Sequence, residues 1–194
     1  MIIIVASMLA VLTVPFSGVS LAPLAKLPIH RPWLVWLSIG VQFAITVVPR
    51  VPKVLGQPFH LFTLALAVGF MWSNRHICGS WLIALGAALN LAAIAANGGT
   101  MPASAWAWRT AGFPSMIDEF ENSNVVHSAR LAWLGDVFAI PHGWPFANVF
   151  SVGDVLIVVA IGYFAHMSCR RPAALPHEPQ GMLRPPLVSV ARLG

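Results

Sequence analysis

Charge is what this chain has least of. Only 9% of its 194 residues are Asp, Glu, Lys or Arg, while 58% are hydrophobic and the mean hydropathy is +0.78. A soluble domain carries roughly a quarter of its residues charged, so this composition excludes that class and points to an integral membrane protein. Cysteine is nearly missing as well. Cys78 and Cys169 both fall near helix ends expected on the cytoplasmic side, which argues against a disulfide. No Lys or Arg precedes the first apolar run, so the basic segment of a cleavable signal peptide is lacking and the run reads as a retained helix. The basic residues stand singly and form no patch. The net charge of +5 is therefore read as membrane topology and attraction to anionic lipid, with no nucleic acid as partner.

What is abundant is uncharged sequence in runs long enough to cross roughly 30 Å of hydrocarbon at about 1.5 Å per residue. Five spans are expected, at about 1–24, 32–49, 54–73, 77–96 and 149–167, with Pro15 kinking or ending the first helix early. With the C-terminus inside, Lys26, Arg31, Arg75, Arg170, Arg171, Arg184 and Arg192 are cytoplasmic, and Arg50, Lys53, Arg109 and Arg130 are outside. That distribution favours an N-terminus outside and a C-terminus in the cytoplasm. The fold expected is an all-α membrane protein of about five transmembrane helices. Residues 1–169 form a single transmembrane domain, and the proline-rich stretch 170–194 reads as a disordered cytoplasmic tail. The compartment is the bacterial plasma membrane.

The polar residues are concentrated in the outer loop, 97–148. Asp118, Glu119, Glu121, Asp136 and Asp154 lie within it or just past its end. An unstructured loop of that length is unusual unless it is functional. Trp106, Trp108, Phe113, Phe120, Trp133 and Trp144 punctuate it, and tryptophan favours the headgroup region. Two short interfacial helices are therefore expected, Ala103–Ala111 and Asn124–Leu134, with the aromatics as anchors. The loop opens Asn97-Gly98-Gly99-Thr100-Met101-Pro102, which suits a helix C-cap followed by a turn. A functional use of Asn97 would be to orient a substrate peptide with its amide.

Two acids stand out. Ser151-Val152-Gly153-Asp154 precedes an apolar helix and has the form of a capping box, so Asp154 has a purely structural reading as an N-terminal cap. Asp136 lies between Leu134 and Val137-Phe138-Ala139-Ile140, and an ionisable group at membrane depth is a functional candidate. Pro141, Gly143 and Pro145 break the chain into turns, which lets it double back and bring the acids together. Two carboxylates that meet share a proton. In that arrangement Asp154, ionised, acts as general base on a water and Asp136 donates a proton to the leaving group, with no cofactor and no metal. His127 and His142 flank Asp136, but no HExxH or comparable spacing supports zinc.

Leu134-Gly135-Asp136-Val137-Phe138, then Trp144-Pro145, then Phe150-Ser151-Val152-Gly153-Asp154 leading into an apolar helix, resembles the C-terminal part of lipoprotein signal peptidase (signal peptidase II). Ser151 stands where that family has Asn, and Gly153 where it has Ala. The resemblance covers about thirty-five residues and implies Asp136 and Asp154 as a catalytic pair at the outer membrane face. Asn97, His127, Ser151 and Asn148 are the candidate substrate-binding residues. Over most of its length the chain resembles an uncharacterised family of bacterial multi-pass membrane proteins. The likeness lies in the Asn-Gly-Gly-x-Met-Pro turn at 97–102, His127 before Arg130-Leu131, Leu134-Gly135-Asp136, and Ser151-x-Gly153-Asp154. That resemblance implies a fold and a compartment.

The first functional expectation is an aspartyl-type membrane hydrolase acting on a membrane-bound peptide or lipid-linked substrate, with membrane lipids around it. The alternative is a non-enzymatic scaffold or sensor that binds a protein partner through Trp106, Trp108 and Trp133 of its outer loop. A small-solute transporter ranks last, because His60 and Asn90 are the main polar groups at depth and transport pathways carry more.

Overall fold

The computed structural model describes residues 2–47, 53–113, 123–126 and 128–170. The chain is mostly helical: α1 Ile2–Phe16, α2 Trp33–Val47, α3 Lys53–Ser73, α4 Ser80–Ala96, a short α5 Ala105–Ala111, and α6 Val152–Arg170. Two helical stretches, Leu55–Ser73 and Val152–Arg170, are long and apolar enough to cross a membrane. The apolar helices Ile2–Phe16, Trp33–Ile45 and Ser80–Ala96 are shorter. The first helix stops one residue after Pro15, and a 3-10 turn, Ala22–Lys26, occupies the rest of the expected first span. The tail beyond Arg170 and the acids Asp118, Glu119 and Glu121 lie outside the described residues.

The helices pack α2 on α3, α3 on α4, α4 on α6 and α6 on α1. The α4–α6 crossing is tightest where glycines meet. A methyl group on Gly86 would come within 2.9 Å of the Gly153 carbonyl oxygen, and one on Gly153 within 2.8 Å of the Gly86 carbonyl oxygen. Gly79 approaches Phe164 in the same way, and Ala93 and Ala160 are fully buried. Gly79 and Gly86 stand seven residues apart on the side of α4 that faces α6, which lets the two backbones approach closely there. Between α2 and α3, the Gln42 carbonyl oxygen accepts from His60 Nδ1 at 3.1 Å and from Thr63 Oγ1 at 3.0 Å.

The outer segment is where the structure departs most from the expected pattern. Among its described residues there are four strands: β1 Met101–Pro102, β2 Ser123–Asn124, β3 Asp136–Ile140 and β4 Asn148–Ser151. β1 pairs with β2 in parallel, β3 with β4 antiparallel, and a bridge from Ala103 to Asp136 joins the two pairs. The helix expected over Asn124–Leu134 does not form. Asn124 is in β2, Leu131 has positive φ, and only Ala132–Leu134 make a 3-10 turn. Pairing with β1 takes the backbone groups that a helix would have used. The helix expected at Ala103–Ala111 forms as α5, started by Ser104, whose Oγ accepts from Ala107 N at 3.1 Å. β4 runs straight into α6, so the last helix begins at Val152 and not at 149.

Gly153→Ala is expected to destabilise the full-length protein by about 1–3 kcal/mol, because the new methyl collides with Asn90 and the α4 backbone. Gly40→Ala is the control, with open space at its Cβ and a mid-helix position where alanine is preferred. Thermal unfolding of the two variants beside the parent checks this.

Candidate functional site

The site begins with the start of α6. The Ser151 backbone N–H donates to Asp154 Oδ2 at 2.9 Å, and the Asp154 N–H donates to Ser151 Oγ at 3.0 Å. This is the reciprocal capping box expected from the sequence. α4 then closes it. Asn90 Nδ2 donates to Asp154 Oδ1 at 2.8 Å, and Ser151 Oγ donates to Asn90 Oδ1 at 2.8 Å. The ring of Asn90, Ser151 and Asp154 exists only because Gly153 carries no side chain where Asn90 lies.

β3 brings in the second acid. Asp136 is the register partner of Ser151, and its backbone oxygen accepts from Ser104 N at 3.0 Å. Gly135 fits beneath the Pro102 carbonyl, where any Cβ would clash. Asp136 itself is only 3% exposed. Burial pushes its carboxyl up from the ordinary 3.8 to about 6; a hydrogen bond from Ser123 opposes the shift, and the nearby charge of Asp154 adds to it. Asp136 and Asp154 are thus linked through Ser151, the register partner of one and the capping partner of the other.

Beside Asp154 opens an apolar cleft of about 200 Å³, lined by Ile2 and Ile3 of α1, Ile140 and Phe150 of the hairpin, and Val155, Val158 and Val159 of α6. Asp154 is the acidic group on its wall. A carboxylate offers about four acceptor positions, and the ring occupies two of those on Asp154. The exposed surface of the cleft itself is apolar.

The candidate binding residues have other work. Asn97 Nδ2 donates to Ala93 O and to Arg130 O, each at 2.7 Å, and Asn97 Oδ1 accepts from Arg130 N at 2.9 Å. Both amide hydrogens are engaged with backbone, so Asn97 fixes the Arg130 loop and has none for a substrate peptide. The turn after it forms as expected, with Gly98 at φ 68° and Gly99 N bonded to Ile94 O at 2.9 Å. Ser151 is fully buried inside the ring. Asn148 Oδ1 accepts from its neighbour Val149 N at 3.0 Å and shapes the start of β4. His127 lies outside the described residues. Among the described residues no group of three or more His, Cys, Asp or Glu is placed to hold a metal ion. Asn90 and Ser123 were missed as site residues. Asn90 was visible as a polar residue inside an apolar helix, whereas Ser123 carried no signal.

The charge state of Asp136 sets a pH dependence. Its folded-state pKa lies above the unfolded value, so the native state holds the proton more tightly. Its contribution is complete below about pH 4 and is lost as pH rises toward and through 6. The difference between 3.8 and about 6 corresponds to roughly 3 kcal/mol. Asp136→Asn is expected to flatten the stability profile across this window and to raise stability at pH 7.5, as measured by chemical unfolding between pH 4 and 8. A parallel profile in the two proteins contradicts the assignment.

An uncharacterized protein of Thermotoga maritima is 31% identical to this chain over 113 residues, which span 56% of this chain and 64% of that relative. No solved structure matches. The model of a family of unknown function, DUF5317, matches residues 26–167, a stretch that contains Asn90, Asp136, Ser151 and Asp154. The chain belongs to that family of unknown function.

Proposed function

We propose that this protein is a multi-pass membrane hydrolase that uses Asp136 and Asp154 as a proton-sharing pair against an apolar, membrane-held peptide or lipid-linked substrate. The observation that carries the reading is the pair itself: a buried carboxyl held at about 6 beside an acid that lines an apolar cleft. An acid with a pKa near the working pH transfers protons efficiently in both directions. Asp154 takes a proton from the attacking water, and Asp136 delivers one to the leaving group. The likeness of the 134–154 stretch to signal peptidase II supports the same assignment.

Membrane embedding is supported by where the apolar surface lies. The two long helices are only 17% and 28% buried within the protein, whereas the core helix of a soluble domain is mostly buried. Phe16, Trp36, Phe43 and Val159 are exposed along the helices. We read all five long apolar helices as crossing the bilayer of the bacterial plasma membrane, with the N-terminus outside, the C-terminus in the cytoplasm and the paired acids at the outer face. The shorter ones match the hydrocarbon by local thinning and flanking residues.

A second reading is favoured by the closed ring at Asp154. There the acids only pin the outer segment onto α6, and the protein is a scaffold or sensor that contacts a partner through Trp106 and Trp133. Trp108 drops out of that surface, since it is buried and packs edge-on against Phe113 at 4.9 Å.

The test is product release from membranes of a strain lacking the protein, incubated with the purified full-length chain in lipid and followed by mass spectrometry. Asp136→Asn and Asp154→Asn are each expected to lower release by roughly 100-fold or more, the scale of an acid–base group, while the protein accumulates and unfolds cooperatively. Equal loss of protein abundance in both variants would show structural aspartates and favour the scaffold.

A further inference from the structure

Apart from Asn148, the register partner of Ile140, the paired residues Phe138–Ile140 and Asn148–Phe150 of the β3–β4 hairpin are apolar on both sides. Ala139 and Val149, register partners, pack with Ala107, Ala111 and Phe113 beneath α5. By the two-residue alternation of a strand, Phe138, Ile140 and Phe150 belong to the opposite face, and Phe138 and Phe150 stack at 5.3 Å between ring centroids. A hairpin with one face on a core and the other in water alternates apolar and polar residues. This one presents Phe138 at 41% exposure and ends in a tip where Trp144 is 70% and Phe146 50% exposed.

The position of the hairpin follows from the cleft beside it. Ile140 and Phe150 line that cleft together with Val158 and Val159 of α6 and with Ile2 and Ile3 of α1. Ile140 and Phe150 therefore face the same cleft as the first two turns of α6. The second face of the hairpin and the exposed Val155 and Val159 of α6 border one apolar cleft.

We infer that the Phe138–Ile140–Phe150 face and the Trp144–Phe146 tip of the hairpin form a lipid-contacting wedge seated at the boundary between headgroups and acyl chains of the adjoining leaflet. The partner is the bilayer itself. Trp144 offers an apolar ring for the acyl region and an N–H for the wet headgroup side, the division that places tryptophan at this depth. An extended peptide fits the face poorly, because apolar side chains would leave its backbone groups without partners. The wedge rests on the membrane reading proposed above and holds whether or not the acid pair is catalytic.

A nitroxide at position 144 tests it. Trp144→Cys is made in the full chain with Cys78→Ala and Cys169→Ala, labelled, and reconstituted in phosphatidylcholine–phosphatidylglycerol vesicles. Arg109→Cys, on the exposed side of α5, is the reference, and Phe146→Cys replaces Trp144→Cys should that variant fail to fold. The label on the tip is expected to be severalfold more accessible to dissolved oxygen, relative to a water-soluble nickel complex, than the label at 109. Equal ratios at the two positions place the tip in water and overturn the wedge. Shielding of the tip label from both reagents indicates a protein contact and overturns it as well.

Discussion

The arrangement of the outer segment depends on one exchange of hydrogen bonds between α4 and α6. Asn90 gives its amide hydrogen to Asp154 and takes the Ser151 hydroxyl in return. In a setting without water an amide that lost these partners would carry an uncompensated polar group, so the two helices are held in one register. The contact requires that Gly86 and Gly153 face each other with no side chains between them. Because β4 runs directly into α6, fixing the first turn of that helix also fixes the hairpin, and through the Asp136–Ser151 pairing it fixes the second acid.

The chemistry of the pair follows from unequal surroundings. Asp154 is held by a backbone N–H, an amide and the start of a helix. Asp136 is enclosed by strand and turn and has the hydroxyl of Ser123 for company. The proposed division of roles between the two acids rests on this difference in surroundings. The cleft beside them is apolar.

Local features were legible in the sequence, and features made by distant partners were not. The Ser151–Asp154 box and the Gly98–Gly99 turn were readable because each closes within a few residues. α5 was readable from its short apolar pattern. The four strands were not, since they are two to five residues long and acquire their identity only from pairing. The expected helix at Asn124–Leu134 lost to the β1–β2 pairing for the same reason. The role of Asn90 was hidden because its partners lie 61 and 64 residues away. The early end of the first helix was readable at Pro15, because proline disrupts the helical hydrogen-bond ladder.

The coupling of the two acids is open to direct measurement. Infrared titration of the Asp136 carboxyl in the full-length protein, with Asp154→Asn as comparison, reads its protonation against pH. A midpoint near 6 that falls when Asp154 loses its charge is the expected result. A midpoint near 4, unchanged by Asp154→Asn, would mean that Asp136 is solvated and independent, and that the paired acids do not form one site.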